Sequence, residues 1–405
     1  MVREHRRDCC DAAFIVDCDE VFVARGRGYR NAFALLKLWI WPVSHRLPMR
    51  SASHQFHVAE KNNHPTLSEV AKRAGVGTTT VSRVINGGYR VDPKTLIRVN
   101  RVIAAMGYMP NQAARVLKGD RTRTIGFIIP SIADPFFSSC AEAVQAVARA
   151  HDSVLIVLTT QNDPRAELDN VNVLMRHRAD GFIIAPADSH NVSLAELILR
   201  SRVPVVALDR PIDNSSSSSV VADNFHGAEL ATRHLVEHGY TRVACLTGEV
   251  GLYTINERLR GYRHTLRSAE LRARVYKSVR CHASAQRAVE KLMALSDPPD
   301  AILTLKNSTT IYTFEALQKL GISIPDQVAL LGYDDFELAD ALSPSISVVE
   351  QPVEDIGRVA AELLFSQMLN KAETNESSPS QKAEQILLKT RLIARRSCGC
   401  TAVAR

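Results

Sequence analysis

The feature that most constrains the fold is an alternation of apolar and amphipathic segments, which begins at Thr124 and repeats about every 30 residues. Short apolar runs such as Thr124–Ile129 and Gly181–Ala185 are typical of strands buried on both faces of a sheet. The segments between such runs, for example Phe136–Ala150, have apolar residues at helical spacing. Regular alternation of strand and helix predicts parallel sheets that are covered by helices.

The alternation occurs twice, which predicts two similar lobes. The first series ends near the serine-rich segment 215–222, and the chain is expected to pass between the lobes there and again near residues 346–352. Small ligands bind beyond the carboxyl ends of parallel strands. A two-lobed α/β core over residues 124–396, like that of periplasmic binding proteins, therefore predicts a ligand cleft between the lobes. We assign residues 397–405 to a C-terminal tail.

A different pattern precedes the core. The segment Thr66–Glu69 has the spacing of a capping box, which marks the start of a short helix. Gly75 is expected to end that helix, a second helix runs from about Thr78 to Asn86, and a third begins at Asp92–Pro93. Three short helices with a glycine turn between the first two are typical of a helix-turn-helix domain.

Positive charge is concentrated in the same part of the chain. The whole chain has a formal net charge of +7, but residues 1–123 carry 21 Lys and Arg against 10 Asp and Glu, a net charge of +11. The helix-turn-helix segment 64–110 and the linker 111–123 together account for +8. A basic segment joined to a separate globular module predicts a polyanionic partner. A basic tail that contacts only solvent would have the same charge.

Residues 1–63 show no clear pattern, and we interpret them as a disordered N-terminal extension. The apolar stretch Ala32–Val43 contains Lys37 and is too short to span a bilayer. The chain has no run of 18 or more apolar residues. We therefore predict no membrane partner.

The eight cysteines predict neither a disulfide framework nor a metal site. No CxxC pair occurs, and Cys398-Gly399-Cys400 has no second ligand pair near it in the sequence. Four-ligand zinc sites usually need two such pairs. We therefore predict no metal and no cofactor, and scattered cysteines favour a reducing cytoplasm.

Specific motifs occur along most of the chain in a characteristic order. Those of the N-terminal segment are LSEVAKRAGVGTTTVSRVING, VDPKT and GYMPNQAARVLKG. Those of the core are IGFIIPSIADPFF, VVALDRP, VVADNFHGAELATRHLVEHGYTRVACLTG, ERLRGY, ALLGYDDFELA, VVEQPVEDIGRVAAELL and LIARRSCG. On these motifs the chain resembles the LacI/GalR family of bacterial transcriptional repressors, from about Pro65 to Arg396.

The resemblance implies which residues of the helical domain contact DNA. The helix at Thr78–Asn86 resembles the family's recognition helix, so Thr78, Thr79 and Arg83 are expected at base edges in the major groove. Arg83 is suited to a bidentate contact with guanine. Contacts to phosphates, which position the protein without specifying sequence, are expected from Thr66, Ser82, Asn86, Arg90, Thr95 and Tyr108.

The segment Asn111–Lys118 resembles the hinge helix that orders in the minor groove when two chains pair on the operator. Leu117 matches the leucine that wedges between base pairs, and Ala114 and Lys118 flank it. Leu117 could instead be a helix core position. However, an isolated helix of this length is not stable in water, because nucleation is costly.

The resemblance also implies an effector site in the cleft. Asp134, Phe136, Asp209, Arg258, Asn307 and Asp334 match effector-binding positions, with Arg210, Asp223 and Gln351 as further candidates. Carboxylate, guanidinium and amide groups suit bidentate hydrogen bonding to sugar hydroxyls. For Asp209 and Asp223 the alternative is turn or capping chemistry at strand ends.

One departure from the family pattern bears on the effector. Lys306-Asn307-Ser308 stands where many members have an Asn-Asp pair, so one acidic ligand is missing. Together with Arg258 and Arg280, Lys306 favours a sugar acid over a neutral sugar.

We interpret the chain as a cytoplasmic, nucleoid-associated homodimer that binds a pseudo-palindromic operator in double-stranded DNA. Its function would be ligand-responsive repression of a carbohydrate-related operon, with no catalytic residues. The absence of a heptad-patterned C-terminal helix favours a dimer over a tetramer. A sugar-binding transport protein would need an export signal directly before the lobes, where a helix-turn-helix is predicted instead. An enzyme is a third interpretation, but no G-x-S-x-G, H-E-x-x-H or GxxxxGK[ST] motif occurs.

Overall fold

The computed structural model of the protein describes residues 65–87, 90–109, 121–248, 250–373 and 383–401. The described residues form two compact units, a head up to residue 109 and a core from residue 121 onward, and each is treated by itself. The prediction of a disordered extension at residues 1–63 lies outside the described residues. Within the described part of the chain, no helix is long and apolar enough to cross a membrane.

The head consists of three helices, α1 (Leu67–Ala74), α2 (Thr78–Ile85) and α3 (Pro93–Met106). The predicted capping box is present, because the Glu69 N–H donates to the Thr66 hydroxyl at 3.3 Å and the Thr66 N–H donates to the Glu69 carboxylate at 2.7 Å. Each helix contributes one fully buried valine to the head core: Val70, Val81 and Val99. The helix-turn-helix prediction is therefore confirmed.

The core begins with strands and helices that alternate as predicted. In chain order they are β1 (Thr124–Ile129), α4 (Pro135–Ala150), β2 (Val154–Thr159), α5 (Pro164–Arg176), β3 (Gly181–Ile184), α6 (Val192–Ser201), β4 (Val205–Leu208) and β5 (Ser218–Ala222). All residues of β3, β4 and β5 are buried, which agrees with strands covered on both faces.

The second series follows in the same style. Its elements are α7 (Asn224–Glu237), β6 (Val243–Thr247), α8 (Tyr253–Ser268), β7 (Arg274–Lys277), α9 (His282–Met293), β8 (Ala301–Thr304), α10 (Asn307–Lys319), β9 (Ala329–Tyr333) and β10 (Ser347–Glu350). The chain then continues through α11 (Val353–Glu373), β11 (Gln385–Leu388), β12 (Arg391–Ile393) and a short 3-10 helix at Arg396–Cys398.

The strands form two six-stranded sheets, one in each lobe. Their orders are β11-β5-β4-β3-β1-β2 in the N-terminal lobe and β12-β10-β9-β8-β6-β7 in the C-terminal lobe. Every pairing is parallel except that of β10 with β12. The predicted crossings lie between β5 and α7 and between β10 and α11. A third crossing, between β11 and β12, was not predicted, because these short strands carry no strong apolar signal.

The prediction of a tail from residue 397 is wrong for its first residues. Ser397 and Cys398 are fully buried. The Ser397 hydroxyl donates to the Leu330 carbonyl at 2.6 Å, and Cys398 packs in the apolar core of the C-terminal lobe. The predicted linker, residues 111–123, also ends too late in the sequence. The Thr122 hydroxyl donates to the Arg178 carbonyl at 2.7 Å, so Thr122 belongs to the N-terminal lobe.

Glu167 on α5 makes the stability of the N-terminal lobe depend on pH. Its side chain is fully buried, and the Ala187 N–H donates to it at 2.7 Å. Burial raises the pKa of Glu167 to about 7 from its ordinary value near 4.5. Between pH 4.5 and pH 7 the carboxyl group is therefore ionised in the unfolded chain but still protonated in the folded chain. The free energy of unfolding decreases as the pH rises through this range.

We expect Glu167→Gln to remove this loss, because the amide keeps the acceptor for Ala187 and does not ionise. Between pH 4.5 and pH 7 the free energy of unfolding of the wild type should fall by about 2–3 kcal/mol relative to the variant. Urea unfolding at several pH values measures the difference. Glu142→Gln, at an exposed position on α4, is the matched control and should follow the wild type.

Candidate DNA-binding surface and effector cleft

The exposed face of α2 carries the residues that were predicted to contact DNA bases. Val81 and Val84 point into the head core, whereas Thr78, Thr79 and Arg83 are exposed on the same helix. The helix has no acidic residue and ends in a turn that includes the exposed Asn86. Ser82 is half-buried beside them. A short polar helix face of this kind can enter a major groove.

The remaining head residues of the prediction have local structural roles as well. Thr66 caps α1, and the Thr95 hydroxyl donates to the Asp92 carboxylate at 3.4 Å at the start of α3. Tyr108 packs its ring against the head core, and Arg90 is exposed with a left-handed backbone (φ 59°). The hinge residues Asn111, Ala114, Leu117 and Lys118 lie outside the described residues.

The head surface is strongly cationic, which suits phosphate contacts. Between residues 65 and 109 the sequence has seven Lys and Arg residues against two acidic ones, Glu69 and Asp92. Both acidic side chains are engaged in capping helices. The excess positive charge therefore faces solvent, where it can attract the DNA backbone.

The two lobes place equivalent aspartates at the edge of the cleft. Asp209 follows β4 and Asp334 follows β9, and each has φ of 68°, in the left-handed region. Each backbone N–H donates to the neighbouring strand, that of Asp209 to Val220 at 3.0 Å and that of Asp334 to Val349 at 2.8 Å. The shared turn directs both carboxylates toward the carboxyl ends of the strands, where ligands of such sheets bind.

Arg258 on α8 is held firmly at the centre of the cleft. Its side chain is buried, and its guanidinium lies 3.7 Å from the centroid of the Tyr333 ring. It donates to Asn224 Oδ1 and to the Leu305 carbonyl, both at 2.7 Å, and lies 3.7 Å from Asp334 Oδ2. These contacts fix the plane of the guanidinium, so the fork is oriented before any ligand arrives.

Arg210 has a different role from Arg258. It donates to Asp209 at 3.0 Å, and to Asn162 Oδ1 and the Pro186 carbonyl at 2.8 Å each. These partners occupy its guanidinium within the N-terminal lobe, and its main effect is to orient Asp209. Burial raises the pKa of Asp209, while the charges of Arg210 and Arg258 lower it.

Lys306 joins the two lobes across the cleft. Its ammonium group lies 3.3 Å from Asp134 Oδ2, on the cap of α4 in the opposite lobe. The cavity beneath this ion pair has a volume of only about 40 Å³, little more than one water molecule occupies. A ligand that fills this cavity must therefore displace the Lys306–Asp134 pair or part the lobes. Phe136 and the other predicted residues Asp209, Arg210, Arg258, Asp334 and Gln351 also line this cavity.

A larger cavity of about 650 Å³ adjoins the first at the crossings between the lobes. Asn307 lines this larger cavity, together with Phe136, Asp334 and Gln351. Gln351 donates to Asp334, but its side-chain oxygen is buried and has no hydrogen-bond partner among the described residues. Buried polar atoms without partners are rare in folded proteins, and in a cleft they indicate a place for a ligand or water.

Two residues that the sequence linked to the effector, Asp223 and Arg280, line neither cavity. Asp223 accepts a hydrogen bond from the His226 N–H at 3.0 Å and caps α7, which agrees with the capping alternative. Arg280 donates to the Gly248 carbonyl at 3.1 Å and does not line the cavity that holds Arg258 and Lys306. Asn224, which orients Arg258, was missed. Its only signal was its place in the DNF motif directly after Asp223.

Cys398 and Cys400 have no second ligand pair near them in the sequence, but the folded chain brings one to them. His234 and His238 on the end of α7 lie beside them, with ligand atoms of all four residues within 4.8 Å of one another. Spacing along the chain could not reveal this pair, because the contacts between the histidines and the cysteines span 162 to 166 residues.

Fold and site together define a class of protein, with a helix-turn-helix head followed by a two-lobed α/β core whose cleft is lined by charged side chains. Comparisons with known proteins agree. Residues 66–111 match the bacterial regulatory proteins of the lacI family, and residues 232–398 match the periplasmic binding protein-like domain.

Two curated relatives are repressors. The chain is 30% identical to the HTH-type transcriptional repressor PurR of Aliivibrio salmonicida over 309 residues, which is 76% of this chain and 93% of that protein. It is also 30% identical to the ribose operon repressor of Haemophilus influenzae over 311 residues, with the same coverage of 76% and 93%.

A solved structure of the lac repressor dimer bound to operator and the anti-inducer ONPF has the same fold. Its TM-score is 0.74 at 23% identity, and the match covers 83% of this chain and 99% of that one. The chain belongs to the LacI family and is a transcriptional repressor of that family. Its interpretation as a DNA-binding regulator and not an enzyme is confirmed by these relatives.

Proposed function

We propose that the protein is a homodimeric repressor whose affinity for a pseudo-palindromic operator is controlled by a small molecule in the interlobe cleft. The observation that carries the proposal is the meeting of charged side chains from both lobes in one cavity. Asp134 and Asp209 come from the N-terminal lobe, and Arg258, Lys306 and Asp334 from the C-terminal lobe. A ligand that bridges these groups has different contacts in open and closed lobes, which is the condition for it to shift a conformational equilibrium.

We propose further that the effector is a polyhydroxylated compound that carries an acidic group. Hydroxyl groups can donate hydrogen bonds to the carboxylates of Asp134 and Asp334. One of the relatives is named as a ribose operon repressor, which links this family to sugars. Arg258 and Lys306 supply two cations on the C-terminal lobe.

Titration calorimetry with the full chain tests the effector class. The panel pairs neutral sugars (D-ribose, D-glucose) with the corresponding acids (D-ribonate, D-gluconate). We expect an acid to bind more tightly than its neutral counterpart, and to change the affinity for operator DNA by the same factor as DNA changes the affinity for it. Tight binding of neutral sugars alone would refute the acidic class. Binding without any change in operator affinity would refute the regulatory role of the cleft.

We predict that Arg83 specifies sequence and that Arg90 supplies only charge. Fluorescence anisotropy with DNA selected from a random pool by the full chain measures both effects. Arg83→Ala should reduce discrimination at one guanine position by about 1–3 kcal/mol. Arg90→Ala should weaken binding to all sequences alike and reduce the slope of log affinity against log salt by about one.

The wild-type dimer should protect two half-sites in the selected DNA, one for each head. Equal effects of Arg83→Ala and Arg90→Ala on specificity would show that α2 is not the recognition helix. Glu142→Ala on the core is the control and should leave both quantities unchanged, because it lies in a different unit of the chain.

A further inference from the structure

Four potential metal ligands meet at one corner of the C-terminal lobe, away from the effector cleft. They are His234, His238, Cys398 and Cys400, and their ligand atoms lie within 4.8 Å of one another. His234 Nε2 lies 3.2 Å from Cys398 Sγ and 3.6 Å from Cys400 Sγ, and His238 Nε2 lies 3.2 Å from Cys400 Sγ. Two histidines and two cysteines are a common ligand set of structural zinc sites.

The helix α7 positions both histidines. His234 and His238 are four residues apart at its C-terminal end, so their rings lie on one face, with centroids 4.2 Å apart. The His238 ring is bonded through Nδ1 to the His234 carbonyl at 2.9 Å. This bond requires the proton to be on Nδ1 and leaves Nε2 with a free lone pair directed at the cysteines, as in the outer shell of known metal sites.

The C-terminal segment positions both cysteines. The 3-10 helix ends at Cys398, which is fully buried, and Gly399 then turns the chain with φ of 95°. A Cβ atom at Gly399 would lie 2.8 Å from Tyr240 Oη, so only glycine allows this tight turn between the two cysteines. The Tyr240 hydroxyl also donates to the Cys398 carbonyl at 3.2 Å.

The segment before the cysteines is anchored as firmly. Arg395 forms two hydrogen bonds with the Asp335 carboxylate, at 2.9 Å and 2.8 Å. Its backbone N–H donates to the Ser347 hydroxyl at 2.8 Å. The two cysteines are therefore held in place by the sheet of the lobe before any ion binds, which lowers the entropic cost of binding.

The distances fit one tetrahedral ion. With zinc–sulfur bonds of about 2.3 Å and zinc–nitrogen bonds of about 2.0–2.1 Å, neighbouring ligand atoms lie roughly 3.3–3.8 Å apart. Three of the four sulfur–nitrogen distances, 3.2, 3.2 and 3.6 Å, are close to this range, and all ligand atoms lie within 4.8 Å of one another. Acidic side chains are not part of the cluster, and the soft thiolate and imidazole donors favour zinc over magnesium or calcium.

We propose that His234, His238, Cys398 and Cys400 bind one zinc ion, which fastens the C-terminal segment to α7. Four protein ligands leave no open position, so the site is structural. Binding releases the two thiol protons, and no oxidant or reductant takes part. Asn224, which orients Arg258, lies at the opposite end of α7, about 20 Å along the helix from the proposed ion. The ion would therefore stabilise the helix that supports the effector site without contacting the effector.

Metal analysis of the full chain tests the proposal. The protein is purified under reducing conditions, saturated with zinc and freed of weakly bound ions, and its zinc content is measured by mass spectrometry. Because cysteines and histidines also occur near the N-terminus, the readout is the difference from matched variants. We expect the wild type to hold about one zinc ion per chain more than Cys400→Ser or His238→Gln.

The controls change the same residue types outside the cluster. Cys281→Ser and His264→Gln should retain the wild-type zinc content, because neither residue belongs to the four-ligand group. His238 is exposed, so His238→Gln tests the site even if Cys400→Ser fails to fold. Circular dichroism confirms folding of each variant.

Cobalt(II) substitution identifies the ligands directly. The wild type should show the strong ligand-field absorption of tetrahedral cobalt and a thiolate charge-transfer band, and both should be lost in Cys400→Ser. Equal zinc contents of wild type and folded His238→Gln would overturn the proposal. So would a Cys398–Cys400 disulfide in freshly purified protein that binds no zinc after reduction.

Discussion

Arg258→Lys is expected to weaken effector binding by about 2 kcal/mol or more, roughly 30-fold, while operator affinity without effector stays close to that of the wild type. The lysine keeps the positive charge but cannot donate at once to Asn224, to the Leu305 carbonyl and to a ligand, as the guanidinium fork can. The repressor would then remain in its effector-free state at effector concentrations that switch the wild type.

Calorimetry with the effector found by the sugar panel, followed by operator binding with and without it, measures both quantities. Arg260→Lys is the matched control on the same helix, because Arg260 is exposed and pairs with Glu257 outside the cleft. If Arg258→Lys and Arg260→Lys bind the effector equally well, Arg258 does not contact the effector and the proposed site is wrong.

The second large effect concerns Gly261, three residues further along α8. A Cβ atom there would lie 2.2 Å from the Phe225 carbonyl oxygen and 3.1 Å from the Glu229 backbone nitrogen, both on α7. In an exposed helix, replacing glycine by alanine stabilises by about 1 kcal/mol. Here we expect Gly261→Ala to destabilise by about 3 kcal/mol, because two helix backbones must move apart.

Urea or thermal unfolding of the full chain measures this change when it is monitored by a spectroscopic signal that comes from the core. Arg267→Ala, at an exposed position on α8, is the control and should lie within about 0.5 kcal/mol of the wild type. A stabilised Gly261→Ala variant would show that α7 and α8 do not pack as closely as described. The close packing of α8 against α7, and not a ligand contact, therefore explains the glycine in the ERLRGY motif.

Local signals determined the elements of both units. The capping box at Thr66, the Asp92-Pro93 helix start and the uninterrupted apolar strands each follow from interactions within a few residues of the chain. Such short-range interactions are visible in the amino-acid sequence alone. The exposed face of α2 followed equally from the helical spacing of Val81 and Val84.

The cleft was predicted only in outline. The family resemblance implied that Asp209, Arg258 and Asp334 meet in the cleft, and the predicted lobes implied the cleft itself. The sequence could not show that Arg210 donates hydrogen bonds to Asn162 and to the Pro186 carbonyl, because those partners lie 48 and 24 residues away along the chain. For the same reason it could not show that Lys306 pairs with Asp134 across the lobes.

The sequence by itself determined the helix-turn-helix head, the two α/β lobes and the family, since short-range patterns and motif order carry that information. Only the tertiary structure decided which side chains share a site. The clearest case is the cluster of His234, His238, Cys398 and Cys400, whose pairs contact each other across 162 to 166 residues of sequence. Ligand geometry depends on distances in space, and the closure of β10, β12 and α7 around one corner of the lobe sets those distances.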